Sequence, residues 1–135
     1  MGSALPAIGV TVLFCSDLDA STAFYRDAMG AALVNADPQS AFLDLSGSKI
    51  LLLSPEGAID LVGDGVATDA GVPPTGELVC FVDDVDEVVI ALARSGVTFL
   101  RGPENRRWGM RTAHFADPDG HVWEIAQSLD NHHPS

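Results

Sequence analysis

Cysteine is scarce in this chain. Two residues, Cys15 and Cys80, cannot build the disulfide framework of a small secreted domain. Both sit in apolar, strand-like runs, so they read as buried free thiols in a reducing compartment. Basic residues are few as well: seven Lys and Arg against nineteen Asp and Glu leave a net charge of −12. Phosphate contacts need clustered cations, which argues against nucleic acid as a partner. The same charge is compatible with attraction of a cationic small molecule and with a solubilising surface. No apolar run approaches the roughly 20 residues of a membrane helix, so no membrane partner is expected. The N-terminus lacks the basic-then-apolar order of a signal peptide, and the cytoplasm is the expected location. The glycines have no following Lys-Ser or Lys-Thr to cradle a phosphate. Ser16 and Ser21 have no base beside them, and Cys15 has no cation to make it a thiolate.

What remains suits one compact domain. The chain has 135 residues, 47% of them hydrophobic and 19% charged. Ile8–Phe14 is an apolar, β-branched run and predicts the first strand. Asp17-Leu18-Asp19 leads into a helix through Met29, with Asp19 or Ser21 as its cap and Gly30 at its end. Ala31–Asn35, Ser40–Leu45 and Lys49–Leu53 predict three more strands, the last two joined by the hairpin signal Ser46-Gly47-Ser48. Ser54–Gly76 holds five Gly and three Pro without a sustained period and reads as a linker, with a short ordered piece at Ile59–Val62.

The grammar then repeats. Glu77–Val82 is a strand, and Asp83-Asp84-Val85-Asp86 opens a helix through Arg94 that Gly96 ends. Val97–Leu100 is a short strand and Gly102–Gly109 a loop. Arg111–Ala116, the turn Asp117-Pro118-Asp119-Gly120 and His121–Ala126 form a hairpin. Asp17-Leu18 matches Asp84-Val85, Gly30 matches Gly96, and Gly47 matches Gly120. The expected fold is α+β: two βαβββ modules, residues 8–53 and 77–127, forming a curved mixed sheet around a cleft. The tail from Leu129 is expected to fray.

Two stretches, D-L-D-A-S-T-A-F-Y-R-D-A-M-G (Asp17–Gly30) and F-A-D-P-D-G-H-V-W-E-I (Phe115–Ile125), resemble the vicinal oxygen chelate superfamily. That superfamily includes glyoxalase I, bleomycin-resistance proteins, fosfomycin-resistance enzymes and extradiol dioxygenases. The resemblance implies the two-module fold and a homodimer. Its metal-dependent members take ligands from the first and fourth strands of each half, usually His, Gln or Glu. Here those positions fall on Glu77 and Glu124 in the second half, and on Val10 and Leu51 or Leu52 in the first. Two carboxylates do not complete a site for zinc, magnesium or manganese. No cofactor is therefore expected; the alternative is a single divalent metal on Glu77 and Glu124, completed by His114, His121 or a partner subunit.

Each candidate has a plainer role beside the functional one. Glu124, a carboxylate inside an apolar strand, is a ligand-binding or catalytic group, or else a partner for an Arg. Glu77 opens its strand and can simply face water. His114 can act as a general base or make a structural hydrogen bond. His121 borders the turn and should be exposed; His132 and His133 lie in the tail. Trp108, in a W-G-x-R run that resembles bleomycin-resistance proteins, can stack on a planar ligand or pack under its own loop. Trp123 alternates away from Glu124 and belongs to the core or an interface. Arg101, Arg106, Arg107 and Arg111 neutralise Asp117, Asp119 and Glu124, or receive an anionic group, with Arg111 best placed. Phe14, Phe42 and Phe115 offer apolar surface. The first expectation for function is a metal-independent protein that sequesters a drug-like or natural-product ligand. The runner-up is a lyase, isomerase or dioxygenase using a metal, or acid–base chemistry through Glu124 and His114.

Overall fold

In the computed structural model the described residues are 7–63 and 77–130. His132, His133 and the later part of the Gly/Pro-rich stretch lie outside them. The chain divides into two compact units, Met1–Asp69 and Ala70–Ser135. The first unit contains strand β1 (Thr11–Phe14), helix α1 (Leu18–Ala23) running into a π-helical turn (Phe24–Ala28), strands β2 (Ala32–Asp37), β3 (Ser40–Leu45) and β4 (Ser48–Leu53), and helix α2 (Pro55–Val62). The second contains β5 (Glu77–Phe81), α3 (Val85–Arg94), β6 (Phe99–Asn105), β7 (Met110–Ala116) and β8 (Val122–Ser128).

Each unit builds one four-stranded mixed sheet, in the orders β1-β4-β3-β2 and β5-β8-β7-β6. β1 runs parallel to β4, and β5 parallel to β8; the other pairs are antiparallel. The fold is therefore α+β with the same βαβββ order twice, as the repeated sequence grammar predicts. Among the described residues no helix is long and apolar enough to cross a membrane.

The repeat extends to the helix caps. Asp17, rather than Asp19 or Ser21, caps α1 by accepting from the Ala20 N–H. Asp84 caps α3 in the same way, accepting from the Glu87 N–H. Gly30 and Gly96 leave their helices at φ of +80° and +97°, a region costly for a residue with a Cβ.

Strand alternation sorts each sheet into two faces. In the first unit Leu13, Leu43, Ile50 and Leu52 are buried on the face that meets α1. In the second, Ala113, Phe115, Trp123 and Ile125 are buried on the side of α3. Phe115 stacks on Trp123 with centroids 6.4 Å apart and meets Phe99 edge-on at 5.6 Å.

Two stretches differ from expectation. The stretch after Ser54 begins as helix α2: Ser54 accepts from the Gly57 N–H and Pro55 occupies the first turn, where a missing N–H costs nothing. The glycines and prolines further on mask this start in the composition. The loop expected at Gly102–Gly109 is strand as far as Asn105. β6 is an edge strand with irregular register between Phe99 and Arg101 and between Arg101 and Glu104. Such an edge accommodates Gly102 and Pro103, which a central strand would not.

Gly102 and Gly109 both have φ of +84°, but their surroundings differ. A Cβ on Gly102 would collide with the Thr112 carbonyl oxygen and stand 3.0 Å from Ala113 Cα, whereas one on Gly109 would meet nothing within 4 Å. Gly109→Ala should then cost about 1–2 kcal/mol, the left-handed backbone penalty alone. Gly102→Ala should cost roughly 3 kcal/mol or more, because β6 must also move off β7. Urea denaturation of the two variants measures the difference; equal losses would mean that β6 does not approach β7 this closely.

Candidate functional site

The register of the second sheet brings three distant residues together. Parallel pairing sets Val79 beside Glu124 and Glu77 beside Val122. Antiparallel pairing sets Glu124 opposite His114. Glu77, Val79 and Phe81 of β5, Glu124 of β8, and Thr112 and His114 of β7 therefore share one face. The opposite face is the helix side: Arg111 there pairs with Asp86, and Gln127 accepts from the Val85 N–H.

At the centre of the outward face, His114 Nε2 lies 3.0 Å from Glu124 Oε1 and 3.3 Å from Glu77 Oε1. One donor atom from each residue falls within 4.8 Å of the others. The Glu77 carboxyl is pushed above the usual carboxylate range, first by its hydrogen bond to Glu124, then by partial burial and the Glu124 charge; His114 opposes this. A hydrogen bond between two carboxyl groups requires a proton on one of them. The cluster thus attracts positive charge, whether a proton, a cationic ligand group or a metal ion.

Its surroundings are polar on one flank. Glu104 of β6 is opposite Thr112 in the register. It is held by Arg101 and Arg106, and Arg101 chiefly keeps its carboxyl below the ordinary range. Three buried polar atoms, Arg106 Nη1, Thr112 Oγ1 and His114 Nδ1, have no hydrogen-bond partner among the described residues. On the other flank the face is apolar and open: Phe81 is 79% exposed, and Val79 is exposed beside it.

The other candidates are placed as follows. Phe14 and Phe42 are half-buried on the outward face of the first unit's sheet, in register with Leu53 and Leu51. Alternation puts Leu51 on that face with Val12, whereas Leu52 is fully buried in the core. Val10 is exposed just before β1. These first-unit positions offer no donor atom for a metal.

Trp108 is 57% exposed at the β6–β7 turn, with the guanidinium carbons of Arg106 and Arg107 at 4.7 and 5.6 Å from its ring centre. Arg111 does not join the cluster; it is on the helix side, bound to Asp86 and Asn105. Phe115, 1% exposed, also belongs to that side, where it has no surface to offer a ligand. Of the arginines expected to neutralise nearby carboxylates, Arg101 and Arg106 serve Glu104, and Arg111 serves Asp86, while the contact of Glu124 is with His114.

Asp117 is buried and meets His121 Nδ1 at 2.7 Å, so His121 is a half-buried turn residue, with its pKa raised by that contact. Trp123 is in the core, as alternation suggests. Cys15 is buried, while Cys80 is half-buried and its thiol is pushed up by burial. Two carboxylates were not expected to complete a metal site without His114, His121 or a partner subunit. The structure brings His114 to both carboxylates, which makes a Glu/His/Glu set that could hold a metal ion. Alternation along β7 separates His114 from Arg111 and Phe115, but the long-range pairing of β5 with β8 is what brings Glu77 to it.

Comparison with known proteins agrees with this architecture. Residues 7–125 match the model of the Glyoxalase/Bleomycin resistance protein/Dioxygenase superfamily. The uncharacterized protein YraH of Bacillus subtilis (strain 168) is 33% identical over 121 residues, covering 87% of this chain and 94% of YraH. A lactoylglutathione lyase structure from Agrobacterium tumefaciens is 26% identical at a TM-score of 0.71, covering 90% of this chain and 92% of its own. TnmS3, an antibiotic binding protein from Streptomyces sp. CB03234, is 25% identical at a TM-score of 0.68, with 94% and 99% covered.

The raised Glu77 carboxyl makes stability depend on pH. A group that binds its proton more tightly when folded favours the folded state at low pH. That contribution is lost as pH rises from the ordinary carboxylate range through the raised value. Above it, two facing carboxylates oppose folding. In chelator-treated protein, Glu77→Gln should therefore raise the melting temperature at pH 7 by about 2 °C or more, and the gain should shrink toward pH 4. Thermal melts across that range check this; a loss of stability at pH 7 would mean that the carboxylates are not in mutual conflict.

Proposed function

The chain belongs to the glyoxalase/bleomycin resistance protein/dioxygenase superfamily, and within it we propose a small-molecule-binding protein that sequesters a drug or natural product on the outward face of the second sheet. The observation that carries this reading is the convergence of Glu77, His114 and Glu124 on a face that also exposes Val79 and Phe81. A few convergent polar groups beside open apolar surface are what a ligand site requires. Two carboxylates suit a cationic or hydrogen-bond-donating head, and the net charge of −12 draws such a ligand in. Trp108 supplies an exposed aromatic ring for a planar portion. Arg111 and Phe115 have no part in it. The similarity to TnmS3, an antibiotic binding protein, supports the binding reading. The protein acts as a homodimer in the cytoplasm in this reading.

A second reading, a metal-dependent lyase, isomerase or dioxygenase, is favoured by one observation: His114 gives the second unit three donors rather than two. The similarity to a lactoylglutathione lyase supports it. In that case Glu124 and His114 hold or move protons near the reacting atoms.

Tryptophan fluorescence separates the two. A planar cationic drug should quench Trp108, and Trp108→Ala should abolish the response, since Trp123 is buried. Glu124→Gln should weaken binding about tenfold, the loss of one charge-assisted contact. The drug should be recovered chemically unchanged. Quenching that persists in Trp108→Ala removes the stacking role, and consumption of the drug shifts the assignment to the second reading.

A further inference from the structure

We propose that Arg106, Thr112 and the second ring nitrogen of His114 form a subsite for a neutral group that both accepts and donates a hydrogen bond, a primary carboxamide or a hydroxyl. This rests on the ligand-binding reading of the second unit's outward face and adds to it: the ligand carries such a group beside its cationic head.

Three buried side-chain atoms without a hydrogen-bond partner among the described residues carry the inference. Thr112 is 1% exposed, and Oγ1 is its orphaned atom. A valine would fill the same space without burying a hydroxyl, so packing does not explain the threonine. Arg106 Nη1 stands 3.6 Å from Glu104 Oε2, an ion pair beyond hydrogen-bond reach. His114 turns Nε2 to two carboxylates, and its Nδ1 is the third orphan.

The three residues lie together. Thr112 and His114 are alternate residues of β7 and share a face. Glu104 is opposite Thr112 in the register. Its carboxyl is held below the ordinary range by Arg101 first, with Arg106 and His114 adding to the pull. The Arg106 guanidinium is also 4.7 Å from the ring centre of Trp108, so the subsite adjoins the ring assigned to stacking.

The needs of the three atoms define the group. A guanidinium only donates. Nε2, facing two carboxylates, takes the ring hydrogen, so Nδ1 of the neutral imidazole accepts. The Thr112 hydroxyl does either. A carboxylate accepts from Arg106 but offers His114 no hydrogen, and it meets Glu77 and Glu124 as a like charge. An ammonium has nothing for Arg106 to donate to. A carboxamide presents its oxygen to Arg106 and Thr112 and its N–H to His114; a hydroxyl fills both roles from one atom.

The test uses chelator-treated, full-length protein and three planar probes: aminoacridine, its carboxamide and its carboxylate, the last two alike in shape. Quenching of Trp108 gives each affinity. The carboxamide should bind about tenfold tighter than the parent, the worth of two neutral hydrogen bonds, and the carboxylate no tighter than the parent. Thr112→Val should keep its melting temperature, since it loses an orphaned hydroxyl, and should narrow that gap to about threefold or less. In the wild-type protein, millimolar benzamide should move the nitrogen-15 signal of His114 Nδ1, and benzoate should not. Equal binding of carboxamide and parent, a preference for the carboxylate, an unchanged gap in Thr112→Val, or an Nδ1 signal indifferent to benzamide overturns the subsite, while quenching by the parent keeps the ligand reading. If no acridine quenches and benzamide moves the Nδ1 signal, the subsite stands and the ligand reading falls; if neither occurs, both fall.

Discussion

The register between β5, β8 and β7 is the constraint on which the second unit's chemistry depends. Parallel pairing of β5 with β8 carries Glu77 across to the neighbourhood of Glu124, and the β7–β8 hairpin sets His114 directly opposite Glu124. A slip of one residue would turn Glu124 toward α3 and Trp123 toward the open face, exchanging a buried charge for an exposed ring. The core guards against this. Phe115 and Trp123 stack on the helix side, so the polar residues that alternate with them are held on the other. Burial of one face thus determines which charges meet on the other.

The meeting of Glu77 with Glu124 is costly for an ion-free fold. The neighbouring Glu124 raises the proton affinity of Glu77, an effect led by the hydrogen bond between them. Elsewhere the same unit pairs its charges conventionally. Arg111 binds Asp86 through two nitrogens, Arg101 and Arg106 bracket Glu104, and His121 answers Asp117. Against that background the Glu77–Glu124 contact stands out as a place where local stability is given up, which is a common property of binding sites. The first unit, with the same topology, has Val10 and Leu51 at the corresponding positions and no such conflict.

Much of the architecture was legible in the chain. The matched Asp17-Leu18 and Asp84-Val85 pairs announced two helix starts, and the match itself points to Asp17 as the α1 cap, since Asp84 caps α3. The D-P-D-G turn fixed the last hairpin. Alternation along β7 sets His114 on the face opposite Phe115 and Arg111, which takes those two off the ligand surface. Less legible were features set by distant partners. β6 reads as a loop because Gly102 and Pro103 are poor strand residues, yet an edge beside β7 tolerates both. Helix α2 was hidden by the glycines and prolines that follow its Ser54-Pro55 start. Glu77 looked like a solvent-facing strand end; only its neighbour across 47 residues of sequence shows why a carboxylate there matters.

The central claim is that one imidazole is held between two carboxylates on the second sheet. The nitrogen-15 resonances of the histidine rings test it most directly. In ion-free protein, the Nε2 signal of His114 should shift in both Glu77→Gln and Glu124→Gln, while the ring signals of His121, held by Asp117, stay where they are. A His114 signal indifferent to both substitutions, or one that moves with Glu124 alone, would contradict the three-residue contact.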